Sequence, residues 1–121
     1  MKKTIIVGGT LRDAAARVAE AWHRAERGEP VEPQDTITFQ NWSALAAVMT
    51  ERRYELLRHL HDQSAPSIRA LARNLGRDFK RVHEDVSALE SIGLIERDIA
   101  GNLCVGYEAI HTTIAVAPRA A

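Results

Sequence analysis

The chain has 121 residues, enough for one compact domain or a small domain with a terminal extension, and 45% of them are hydrophobic, which excludes wholesale disorder. Sixteen Lys plus Arg balance sixteen Asp plus Glu, so the whole chain lacks the basic excess that nucleic-acid binders often carry. No apolar stretch approaches the roughly 20 residues of a membrane span, the run Thr4 to Val7 is too short for a signal-peptide core, and the lone Cys104 cannot close an internal disulfide, so a cytoplasmic protein with no membrane partner is expected.

Lys3 to Val7 is rich in β-branched residues and ends at Gly8-Gly9, which predicts a short strand and a turn. Thr10 is the expected N-cap of a helix in which Leu11, Ala14, Ala15, Val18, Ala21 and Trp22 recur at three- and four-residue spacing up to Gly28, giving a face made mostly of small residues. Pro30 and Pro33 mark a connector, and Thr36 to Phe39 reads as a second strand. Residues 1–40 are therefore predicted to form a strand, helix, strand segment for assembly or partner binding.

Asn41 and Thr50 are expected caps of two successive helices, the second carrying Tyr54, Leu56, Leu57 and Leu60 as its apolar positions. After a break at Gln63 to Pro66, Ser67 opens a short helix with the inner stripe Ile68, Leu71, Ala72 and Leu75, ended by Gly76. Asp78 caps the next helix, whose apolar positions Phe79, Val82, Val86, Leu89 and Ile92 keep the helical period to Gly93. Leu94 to Asp98 and Leu103 to Val105 read as a hairpin around Ala100-Gly101-Asn102, and Ile110 to Val116 alternates as a last strand before Pro118.

Two short helices joined by a Gly-containing turn and followed by a hairpin follow the order of a winged helix-turn-helix. The expected fold class is α+β: a winged helix-turn-helix over residues 41–107, the strand-helix-strand extension before it, and a C-terminal strand and tail over 108–121. In such an arrangement the second helix enters the major groove of duplex DNA and presents its outward side chains to base edges. Between Ser67 and His83 the basic residues Arg69, Arg73, Arg77, Lys80 and Arg81 face a single acid, Asp78. Phe79, Val82, Val86 and Leu89 cluster on one helix face, which leaves Lys80, Arg81, Glu84 and Ser87 outward. Arg81 is the expected base reader because a guanidinium can engage guanine bidentately. Glu84 fits this face only by accepting a bond from a cytosine amino group. Arg77 is expected to reach phosphate, as are Ser67 and Arg69 at the start of the preceding helix, with Arg97 and Asn102 of the hairpin against the adjacent backbone or minor groove.

The run from Ser67 to Val86 (SIRALARNLGRDFKRVHEDV), followed by Leu89 and Gly93-Leu94-Ile95-Glu96, resembles the small MarR-like winged-helix regulators of prokaryotes. It is similar, more narrowly, to regulators that occur as antitoxin-like partners in type II toxin-antitoxin pairs. The resemblance spans roughly residues 36 to 107. It implies a homodimeric DNA-binding repressor that acts on the operator of its own operon, with a cognate toxin as a possible protein partner. Larger members of that group carry long dimerisation helices at both ends, and this chain has its strand-helix-strand start and last strand in their place.

The competing expectation is a winged-helix scaffold used only for protein contacts, which the neutral overall charge favours. Catalytic and metal chemistry find less support. His59 and His61 fall on opposite sides of a helix, while His83, His111 and Cys104 lie in separate elements, so no metal or other cofactor is expected. Gly8-Gly9-Thr10 lacks the lysine and glycine spacing of a nucleotide loop, and no Ser, His and acid grouping stands out, so the protein is not expected to be an enzyme.

Overall fold

The computed structural model describes residues 2–8, 11–29 and 35–116. The expected cap at Thr10, the Pro30 and Pro33 connector and the chain end from Pro118 lie outside the described residues. The class is mixed α+β, in the order β1 (Lys2–Val7), α1 (Leu11–Glu26), β2 (Asp35–Phe39), α2 (Trp42–Val48), α3 (Glu51–Asp62), α4 (Ile68–Leu75), α5 (Phe79–Ser91), β3 (Glu96–Arg97), β4 (Leu103–Cys104) and β5 (Ala109–Ile114). The chain divides into two compact units, one over Leu45–Ala109 and one over Lys2–Ala44 with the segment from Ile110 onward.

In the unit built from the chain ends, β1 is the central strand of a sheet ordered β2-β1-β5. It pairs with β2 in parallel, from Lys3 opposite Asp35 to Val7 opposite Phe39, and α1 supplies the crossover that a parallel pair requires. Ile5, Ile6 and Val7 are all buried, as a central parallel strand demands, and Lys3 is buried with them. The Ala115 amide donates to the Val7 carbonyl at 2.9 Å, continuing the edge that β5 forms. Helix α1 departs from the expected burial of one face. Every described side chain on it is exposed, including Val18 at 70% and Trp22 at 66%.

In the other unit the caps fall where the side chains can reach back. Thr50 accepts from the Arg53 amide at 3.3 Å, Ser67 from Ala70 at 3.0 Å and Asp78 from Arg81 at 3.3 Å. Gly76 ends α4 in the left-handed region at φ 64°, and its amide and that of Arg77 return to the last carbonyls of α4, so the chain reverses and α5 begins at Phe79. Leu56, Leu57 and Leu60 of α3, Leu71 of α4, and Val82, Val86 and Leu89 of α5 are buried together with Leu94, Ile95 and Leu103. Each such side chain contributes about 2 kcal/mol when withdrawn from water.

The hairpin is shorter than expected, with two residues in each strand, Glu96 opposite Cys104 and Arg97 opposite Leu103. Ala65 joins it by an antiparallel bridge to Leu103, with mutual amide-carbonyl bonds of 3.0 and 2.7 Å. The segment Gln63 to Pro66, expected as a plain break, thus supplies backbone to the sheet. Beyond the hairpin, the buried Tyr107 hydroxyl donates to the Leu94 carbonyl at 2.8 Å, and burial pushes its phenol well above the ordinary range.

Candidate nucleic-acid interface

The site is built on α5. Asp78 uses its carboxylate to hold the Arg81 amide, fixing the first turn, and the stripe Val82, Val86 and Leu89 fixes the rotation of the helix by being wholly buried. At about 100° per residue the opposite meridian passes between Lys80 and Glu84, with Ser87 beside them. Lys80, Arg81, Glu84 and Ser87 are all exposed. Among the described residues neither Lys80 nor Arg81 has an acidic side chain in ion-pair range, so both charges face solvent. Glu84 lies nearest the middle of the outward face with Lys80 next to it, whereas Arg81 sits on the flank shared with Asp85.

Asp85 organises the unit beneath that face. One of its oxygens accepts from Arg77 at 2.8 Å and the other from the Arg53 Nε at 3.0 Å, all three side chains being largely buried. Arg53 in turn donates to the Val48 carbonyl at 2.8 Å, at the end of α2. Arg77 therefore differs from its expected outward placement. Its guanidinium is engaged with a carboxylate one-and-a-half turns into α5, because a largely buried cation without a partner would cost about 3 kcal/mol. Sequence spacing gave no access to the Arg53–Asp85 contact, which joins residues 32 apart.

On the other flank of α5, Phe79 is 39% exposed although its position in the apolar period predicted burial. The Arg69 guanidinium of α4 lies over its ring, 4.7 Å from the centroid, and the His83 ring stands 5.9 Å away at 44°. Arg69 is thus brought to the start of α5, as is Ser67 to the start of α4, where its hydroxyl oxygen accepts from Ala70 and its own hydrogen remains available for donation.

The hairpin residues are committed elsewhere. Arg97 makes a forked pair with Glu90, at 2.7 and 3.4 Å, which raises its already high pKa. Asn102 donates through its backbone and side-chain nitrogens to Asp98, at 2.9 and 3.1 Å, and the bond from its backbone amide leads those that hold the Asp98 carboxyl below its usual range. The turn presents Ile99 fully to solvent between these groups. Of these two residues expected to touch DNA, Arg97 ties β3 to Glu90 of α5 and Asn102 ties the hairpin turn to Asp98.

Other polar groups do not converge. His61 Nδ1 lies 3.1 Å from the Val105 carbonyl, while the Nε2 of His59 is buried without a hydrogen-bond partner among the described residues. Among those residues no three His, Cys, Asp or Glu side chains are grouped as metal ligands, and no helix is long and apolar enough to cross a membrane. Burial leads the influences that push the Cys104 thiol up, which disfavours its reactive thiolate.

No curated protein and no solved structure matches the chain. Residues 48–112, which contain α3 to β4 and the whole α5 surface, match the HVO_A0114 family over more than half of the sequence, and the chain belongs to that family.

Proposed function

We propose that the protein is a winged helix-turn-helix regulator of MarR-like type that binds double-stranded DNA by inserting α5 into the major groove. The observation that carries this reading is the outward face of α5, where Lys80 and Arg81 stand exposed with no acid in ion-pair range among the described residues, over a helix whose opposite stripe is fully buried. The left-handed Gly76 turn between α4 and α5 and the β3–β4 hairpin beyond them agree with that architecture. Ser67 and Arg69 sit at the N-terminal end of α4, suited to phosphate. With Arg97 and Asn102 tied up, the hairpin adds little. The regulator acts as a homodimer on a palindromic operator of its own operon, repressing by blocking polymerase, with a toxin as a candidate partner.

A gel-shift assay with DNA from its own promoter tests the reading. A Lys80→Ala/Arg81→Ala variant should lose binding while keeping its fold; equal binding by variant and wild type removes this surface from the account. Arg77 is best left intact in that test, since its loss would disturb Asp85 and α5 together.

A second reading, a protein-contact module, draws on α1. Its Val18 and Trp22, four residues apart, expose apolar surface of the kind that mediates assembly. Copurification with the products of neighbouring genes favours this reading if a stoichiometric partner is held and no duplex is bound.

A further inference from the structure

The apolar ring at the first position of α5, on the flank between the buried stripe and the outward face, is left unused by the phosphate and base contacts above. Phe79 stands beside Lys80, at the end of the helix nearest the α4–α5 turn, and is 39% exposed while Leu71 and Val82 are fully buried. Arg69 covers one face of the ring and His83 approaches it from the next turn, so the ring is held in place while part of it remains open to solvent. Among the groups that base pairs display in the major groove, the one apolar feature is the methyl group on C5 of a pyrimidine. A phenyl ring cannot donate or accept a conventional hydrogen bond, so it is blind to the rest of that pattern and sensitive to this one.

We propose that Phe79 is a specificity-determining residue that reads the 5-methyl group of a pyrimidine, thymine or 5-methylcytosine, in the major groove, with Arg69 as the positioning residue that holds its ring. This inference rests on the DNA-binding reading above. The stacked guanidinium restrains the phenyl rotamer before DNA arrives, which lowers the ordering cost of contact, and its charge draws the neighbouring phosphate.

The test uses the full chain and duplex sites selected by it from a random pool. Replacing thymines one at a time by deoxyuridine removes only the methyl group. Wild type should lose about fourfold in affinity at one thymine of each half-site. Placing cytosine and 5-methylcytosine at that position separates the two sources of the methyl group. Phe79→Ala should bind the thymine and deoxyuridine duplexes alike, Phe79→Leu should keep part of the preference and secures the test against a folding defect, and Arg69→Gln should weaken it. Wild type binding every deoxyuridine duplex as tightly as its parent overturns the inference and leaves the DNA-binding reading standing. So does Phe79→Ala keeping the wild-type ratio. If wild type selects no duplex at all, the DNA-binding reading fails and this inference with it.

Discussion

Helix α5 buries Val82, Val86 and Leu89 completely, whereas α1, whose apolar residues recur at the same spacing, leaves Val18 and Trp22 mostly in solvent. Both sequences satisfy the helical period, so period alone does not decide burial. The stripe of α5 is made of branched side chains on a helix that packs against α3 and α4, whose Leu56, Leu60 and Leu71 are buried as well, and α1 offers chiefly alanines, each with little area to withdraw from water. One helix is held by its core and turns charge outward; the other leaves Val18 and Trp22 in solvent.

Core truncation should separate the two most strongly. Leu89→Ala is expected to destabilise the folded chain by about 3 kcal/mol, and Trp22→Ala by less than about 0.5 kcal/mol, in urea unfolding at low protein concentration. Equal losses would mean that α1 is packed in solution. Asp85→Ala should cost about 3 kcal/mol in the same experiment, since it strands Arg53 and Arg77 together, and an unchanged midpoint would show that water replaces the carboxylate without penalty. Gly76→Ala should cost about 1 kcal/mol: an added Cβ meets nothing within 4 Å, so the penalty is that of a left-handed backbone alone.

The smallest effect concerns pH. Asp98 has a folded pKa below its ordinary 3.8, so its contribution to the hairpin is complete above that value and is lost as pH falls from there through the lower folded value. Amide exchange at Gly101 and Asn102, followed by NMR and corrected for intrinsic rates, should rise only below about pH 4. An Asp98→Asn variant should lack this step, and a wild type without it would show the turn to be independent of the carboxylate.

Much of the unit around α5 was legible in the sequence because its signals are local. Thr50, Ser67 and Asp78 cap helices as single side chains reaching a backbone amide three residues on, and Gly76 marks a conformation that other residues avoid. The outward set Lys80, Arg81, Glu84 and Ser87 followed from the buried stripe by helical geometry. What escaped depended on partners distant in the chain. Arg77 was read as outward because its tie to Asp85 belongs to a turn whose path the period cannot give, and Arg97 because Glu90 lies across a helix end from it. The position of Phe79 fits the stripe, yet its ring is 39% exposed, with the Arg69 guanidinium of the preceding helix over it, a contact the period cannot give. Likewise Tyr54 fits the apolar set of α3 yet is exposed, with Arg58 over its ring at 5.8 Å.

The salt dependence of affinity for a labelled duplex from the protein's own promoter tests the central claim most directly. Wild type should bind with an affinity that falls steeply as salt rises, and Lys80→Ala/Arg81→Ala, matched to it in thermal unfolding, should bind weakly with a slope shallower by about two. Identical curves for the two proteins would contradict the assignment of α5 as the surface that meets DNA.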